Sequence, residues 1–230
     1  MAQAFVLASR RFQAGLLLPG AVLVLAGWAI VAASRDHESF RSFAVMWFAM
    51  SIAMMVPTTL RPMMRAADGS VARAWQFLGG FVAVWLLAGL PTYLVMGAVE
   101  WTTGWIAAAW VLAGAYQLTP WMQRQLMTCR SVRFDGDPMA FGFRQGVRCV
   151  ASCWPVMLAV MVTAMSLPGT VLPLLALVAV TALLCWEKLP GTSARSVAAV
   201  GLAILLVAVG GVVLLGGGGS DHHSAGSSTS

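Results

Sequence analysis

Residues 74–98 read AWQFLGGFVAVWLLAGLPTYLVMGA, a run of 25 positions without one Asp, Glu, Lys or Arg. An α-helix needs about 20 mostly apolar residues to cross the hydrocarbon core of a bilayer. Six further segments have that character: 14–33, 43–60, 104–120, 147–167, 170–186 and 197–215. Pro168 and Gly169 between the fifth and sixth segments read as a tight turn. The expected fold is therefore all-α, a polytopic transmembrane helix bundle of about seven spans.

Composition points the same way. Of 230 residues, 60% are hydrophobic and 10% charged, with a mean hydropathy of +0.83. A soluble domain carries about 25% charged residues, so this chain could not cover a water-facing surface. Lipid removes that problem. The net charge of +6 does not indicate nucleic acid, because the basic residues are scattered through short loops. Arg10 and Arg11 precede the first span, and the first loop holds Arg35 and Arg41 offset by Asp36 and Glu38. Arg61, Arg65 and Arg73 follow the second span. Arg124, Arg130, Arg133 and Arg144 follow the fourth, and Lys188 and Arg195 the sixth. The loop with Glu100 has no basic residue. Cytoplasmic loops are the basic ones, which places the N-terminus in the cytoplasm and the C-terminus outside. The expected organisation is a cytoplasmic segment over residues 1–13, a transmembrane helical domain over 14–215 and a disordered Gly/Ser/His tail over 216–230. The first apolar run is too long for a signal-peptide core of about 7–15 residues and reads as a retained span.

That topology gathers unusual side chains at one depth. Met54, Met55, Pro57 and Thr58 end the second span, and Tyr116, Gln117, Thr119 and Pro120 end the fourth. Arg148, Cys149 and Cys153 begin the fifth, and Cys185, Trp186, Glu187 and Lys188 close the sixth. All fall near the cytoplasmic face. Ionisable groups in a span are costly and turn toward a cavity or partner; Glu187 and Arg148 are the candidates and could pair. Cys149, Cys153, Met157, Met161 and Met165 recur every four residues, as do Met46, Met50 and Met54. Residues four apart share a helix face, so two antiparallel helices each present sulfur. Thiolate and thioether favour Cu(I) over hard cations. Against this, methionine at helical spacing commonly fills core gaps, and Glu187–Lys188 is also what an interfacial anchor looks like. His37 reads as solvated, and His222 and His223 lie in the tail.

Several segments resemble one known family in the same order: AMMVPT at 53–58, AGAYQLTPW at 113–121 with Cys129–Arg130, FRQGVRCVASCWPVM at 143–157 and EKLPG at 187–191. The chain resembles the metal-binding integral membrane proteins grouped as domain of unknown function 2182, over roughly residues 43–215. The resemblance implies a multi-pass protein of the bacterial plasma membrane that handles copper as a chaperone. It departs from the family pattern in having Gln145 in place of a histidine and Ser152 in place of a second cysteine. Met122, Gln125 and Ser166 are further departures, while Cys129, Cys149, Cys153, Trp154 and Glu187 remain.

Three functions are compatible with these residues. The first is binding of a soft metal, Cu(I), for delivery or transport, with a copper donor or acceptor protein or membrane complex as partner. Cys149, Cys153, Met157, Met54 or Met55, and Glu187 would form the site, with Tyr116, Gln117, Cys129 and Trp154 behind them. The second is a non-catalytic subunit or scaffold, whose small residues such as Gly79 and Gly80 serve helix contacts. The third is a membrane thiol–disulfide oxidoreductase using Cys149 and Cys153. No nucleophile–base set, phosphate loop or haem-type histidine pair appears in the spans, so the sequence offers no positive support for an enzyme.

Overall fold

The computed structural model describes residues 2–33, 39–100, 102–131, 134, 136–166, 171–188, 193, 196–204 and 206. The expected turn at Pro168–Gly169, His37, most of the seventh segment and the whole 216–230 tail lie outside them. Among the described residues the chain is all-helical, without strands. Helix α1 (Ala2–Ala33) runs unbroken through the expected cytoplasmic segment and first span. It is followed by α2 (Phe40–Met50), α3 (Leu60–Ala67), α4 (Val71–Ala98), α5 (Thr103–Gln117), α6 (Pro120–Ser131), α7 (Pro138–Ser166) and α8 (Val171–Glu187). A last helical stretch, α9, covers residues 196–204.

Two of these, Val71–Ala98 and residues 138–163 of α7, are long and apolar enough to cross a membrane. A third qualifies if the bent pair Phe40–Met55 and Pro57–Ala67 is one span. Shorter apolar helical runs occupy Leu18–Ala33 and Leu177–Glu187.

Helix α7 starts nine residues before the expected span at 147. Asp137 supplies the reason. Its carboxylate accepts the backbone N–H of Met139 and of Ala140, each at 3.1 Å, and Pro138 occupies the first helical position. An Asp cap followed by proline is a favoured helix start. Thr119 and Pro120 open α6 in the same way, with the Met122 N–H donating to Thr119 Oγ1 at 3.2 Å. The segment between the fourth and fifth expected spans is therefore largely helical rather than a loop.

Helices α4 and α7 run parallel and in close contact: Phe77 lies by Gly142, Val84 by Gly146, and Thr92 by Trp154. A Cβ on Gly142 would overlap the Phe77 carbonyl, and one on Gly80 the Met139 carbonyl. Gly142 and Gly146 form a small-xxx-small surface, the pattern that lets apolar helices approach closely. Helix α2 is antiparallel to α4, since Phe43 packs on Tyr93 at 5.1 Å and Trp47 on Trp85 at 6.1 Å between ring centroids. The Trp47 Nε1 donates to the Trp85 carbonyl at 2.7 Å. Helix α5 is antiparallel to α7, with Trp110 donating to Thr163 at 2.8 Å and Tyr116 to Ala151.

Prolines interrupt the two helices that carry the sulfur. Beyond Met50 the second helix widens into a π-turn, Ser51–Met55, then tightens into a 3-10 turn, Pro57–Thr59, and bends by 42°. Pro57 has no N–H and its ring crowds the preceding turn. Threonine hydroxyls meet carbonyls there: Thr58 Oγ1 donates to Met55 O at 2.7 Å and Thr59 Oγ1 to Val56 O at 2.9 Å. In α7, Pro155 removes the N–H that would bond the Ala151 carbonyl four residues back. The Tyr116 hydroxyl of α5 donates to that same carbonyl.

This packing makes two substitutions informative. Gly142→Val should separate α4 from α7 and destabilise the purified protein by about 1–3 kcal/mol, seen as a lowered unfolding midpoint; an unchanged midpoint would show that the glycine contact is unimportant. Tyr116→Phe should cost about 1–3 kcal/mol by leaving a buried carbonyl unmet, and much less when Pro155→Ala restores the backbone donor. Equal costs in both backgrounds would separate the tyrosine from the proline.

Candidate functional site

The sulfur-bearing residues meet where the π-turn of the second helix faces the first half of α7 and the end of α8. A π-turn inserts an extra residue and rotates the residues beyond it about the helix axis. As a result Met54 and Met55 are both fully buried. The thioether that reaches α7 is Met55, whose Sδ is 4.0 Å from Cys149 Sγ. Cys149 and Cys153 are buried too, one turn apart on α7. Met157 and Met161 continue that line into the core, both at 0% exposure.

Lys188, just past α8, is the cation in the cluster. Its Nζ is 2.8 Å from Cys149 Sγ and donates to Thr58 Oγ1 at 3.2 Å. Burial works against its charge, but the Cys149, Cys153 and Cys129 sulfurs outweigh that and hold its pKa above the usual lysine range. The sequence suggests an anchor role for Lys188 at a span end and marks Arg148 as the cation to watch. Adjacency to Glu187 is the one local signal for Lys188, and nothing in the sequence shows that its amine folds back onto Cys149.

The remaining expected residues are distributed around this core. Glu187 is buried at the end of α8. Cys129 on α6 is buried and accepts from Gln145 Nε2 through both its sulfur, at 2.9 Å, and its carbonyl, at 3.0 Å. Cys185 is partly buried and lies within electrostatic range of Lys188 and Cys153. Ser152 donates to the Cys149 carbonyl at 3.0 Å and lies 3.4 Å from Cys153 Sγ. Tyr116 braces the carbonyl between the two cysteines and stacks edge-on against Trp121 at 5.9 Å. Trp154 is directed elsewhere, donating to Thr92 Oγ1 at 3.0 Å. Gln117 is buried with its Cβ against Gly201 of α9.

Among the described residues no group of three or more His, Cys, Asp or Glu is close enough together to hold a metal ion. The donor chemistry brought together is two thiols and one thioether, without imidazole. That set does not suit a hard cation, which takes several oxygen ligands. It suits a soft ion, because thiolate and thioether select Cu(I).

No curated relative and no solved structure matches the chain. A family model described as PpoB2 copper chaperone matches residues 44–213, close to the stretch over which the motifs fall. That match spans most of the sequence and includes every element that contributes sulfur to the cluster, so the chain belongs to the PpoB2 copper chaperone family.

Proposed function

We propose that this protein is an integral membrane copper chaperone that takes up Cu(I) at Cys149, Cys153 and Met55 and hands it to a partner. The single observation carrying this reading is the buried meeting of Met55 Sδ and Cys149 Sγ at 4.0 Å, beside Cys153. Copper is cargo here, so the site must release it, and a small set of soft donors serves that better than a closed cage. Met54, next to Met55 in the chain, and Met157, one turn beyond Cys153, are buried further thioethers, and Glu187 is buried at the end of α8. The chain has no catalytic role in this reading.

The membrane assignment rests on the exterior. Leu25, Leu87, Leu94 and Leu112 are each more than 60% exposed, on helices whose composition is far too apolar for water. Contiguous exposed apolar surface marks an interaction face, and lipid is the partner that covers all sides at once. In this reading the chain makes seven passes through a bacterial inner membrane, with the N-terminus and the sulfur cluster on the cytoplasmic side, as the distribution of basic loops suggests. A copper donor or acceptor, soluble or membrane-bound, would then meet the cluster from that side. A thiol–disulfide oxidoreductase is the second reading, favoured by two buried free thiols one helical turn apart on α7.

Detergent-purified protein under reducing conditions should hold about one Cu(I) per chain. The Cys149→Ser, Cys153→Ser double variant should hold none, and Met55→Leu should bind about tenfold more weakly, a loss of about 1.4 kcal/mol. Equal copper in wild type and double variant would end the copper assignment; a reversible disulfide without metal binding would move it to the redox reading. For the topology, a membrane-impermeant maleimide should label Glu100→Cys in intact cells and Asp137→Cys only after permeabilisation. The opposite pattern would invert the orientation.

A further inference from the structure

Lys188 presents a cation to a site proposed to take a cation. Its Nζ lies 2.8 Å from Cys149 Sγ while the Met55 sulfur approaches the same atom at 4.0 Å. Thr58 Oγ1 fixes the amine from a third element at 3.2 Å. The hydroxyl of Thr58 is itself committed to the Met55 carbonyl, so the cradle holding Lys188 is the turn that carries the thioether. Half-burial of the lysine leaves its flexible four-carbon stem a route away from the sulfur.

Resting on the reading above, we propose that Lys188 is the resident cation of the metal-free sulfur site, and that Cu(I) loading displaces it from Cys149. The exchange is one of partners: the contact between the Cys149 sulfur and the Lys188 ammonium opens as a copper–sulfur bond forms. Copper arrives from the donor's ligands as Cu(I) and stays Cu(I), the ammonium keeps its protons, and the proton of the Cys153 thiol passes to water as that sulfur joins the metal. Both cations carry one positive charge, so the exchange leaves the charge paired with Cys149 unchanged. A buried charge left without a partner is strongly destabilising, which makes a one-for-one replacement the least costly way to fill or empty such a site. A divalent ion gains no such equivalence. The returning ammonium also assists handover, because it re-pairs the sulfur as the metal leaves.

The test uses the full chain in detergent with Cu(I), and with Ag(I) as a redox-inert soft monovalent probe. Amine-reactive labelling of Lys188, read by peptide mass spectrometry, should rise at least about fivefold on loading with either ion, a change of about 1 kcal/mol in protection. Zn(II) at the same concentration should leave it unchanged. Cys149→Ser should expose Lys188 to the reagent with no metal present. Transfer of Cu(I) to excess chromogenic chelator should slow about tenfold in Lys188→Met and recover in Lys188→Arg. Labelling that ignores loading, in a protein that binds copper through its cysteines, would overturn displacement and leave the chaperone reading standing. Wild-type protein that takes up no Cu(I) would overturn both. Transfer at the wild-type rate in a folded Lys188→Met variant would reduce the lysine to an anchor.

Discussion

Inside an apolar protein, a backbone carbonyl that loses its helical donor must find another, since an unmet buried acceptor costs on the order of 1–3 kcal/mol. Much of the architecture around the sulfur cluster answers that constraint. Pro155 frees the Ala151 carbonyl between Cys149 and Cys153, and Tyr116 is drawn across from α5 to meet it. Pro57 disrupts the second helix, and at the bend Thr58 and Thr59 turn their hydroxyls onto the carbonyls of Met55 and Val56, the latter also accepting the Thr59 N–H. Side chains that meet backbone carbonyls here also reach the site. Thr58 goes on to hold Lys188, and Tyr116 fixes the turn of α7 that carries both thiols.

The rest of the fold keeps that turn in place. Helix α7 cannot slide freely along α4, because Gly142 and Gly146 sit directly on its backbone and Trp154 reaches Thr92 further along. Helix α2 is pinned to α4 by Trp47, whose indole N–H bonds the Trp85 carbonyl while its ring fills the space left by Gly89. Cys149 and Met55 thus belong to two helices registered against one common neighbour. Their separation of 4.0 Å is set by packing on α4 rather than by attraction between the sulfurs, which is weak. A preorganised pair of soft donors needs no folding step to bind, so the cost of ordering ligands does not fall on the metal.

How much of this the sequence disclosed depends on the distance over which each feature is encoded. The 74–98 run names its helix unaided, because hydropathy is a local property. The directions of α2, α4, α5 and α7 follow from the alternation of basic loops, and the contacts of Trp47, Tyr116 and Trp154 agree with them. The start of α7 is written in Asp137–Pro138 but outweighed by the charge of Arg144, which reads as loop. The π-turn is not readable. The sequence names Met54 and Met55 as alternatives without choosing between them, and it is Met55, at the end of the π-turn, whose sulfur meets Cys149. Nor is Lys188: its contact joins residues 39 apart in sequence, and no periodicity reports that.

The two positions where the chain departs from the motif pattern sharpen the meaning of the site. Gln145 and Ser152 stand where the resemblance leads one to expect a histidine and a second cysteine. Neither has drifted into bulk packing. Gln145 spans the gap to α6 and gives its amide N–H to the Cys129 sulfur, and Ser152 lies against Cys153 while anchoring the Cys149 carbonyl. A hydrogen bond to a thiolate withdraws charge from it and weakens it as a ligand, whereas a histidine or cysteine in the same place would add a donor. Gln145 thus acts on Cys129, outside the proposed ligands, and Ser152, its proton given to the Cys149 carbonyl, holds the turn that carries both thiols. For a structural metal site two donors fewer would be damage. For the copper chaperone proposed above, whose cargo must leave again, a shallower well would be the more useful one, and the Lys188 ammonium 2.8 Å from the Cys149 sulfur would make it shallower still.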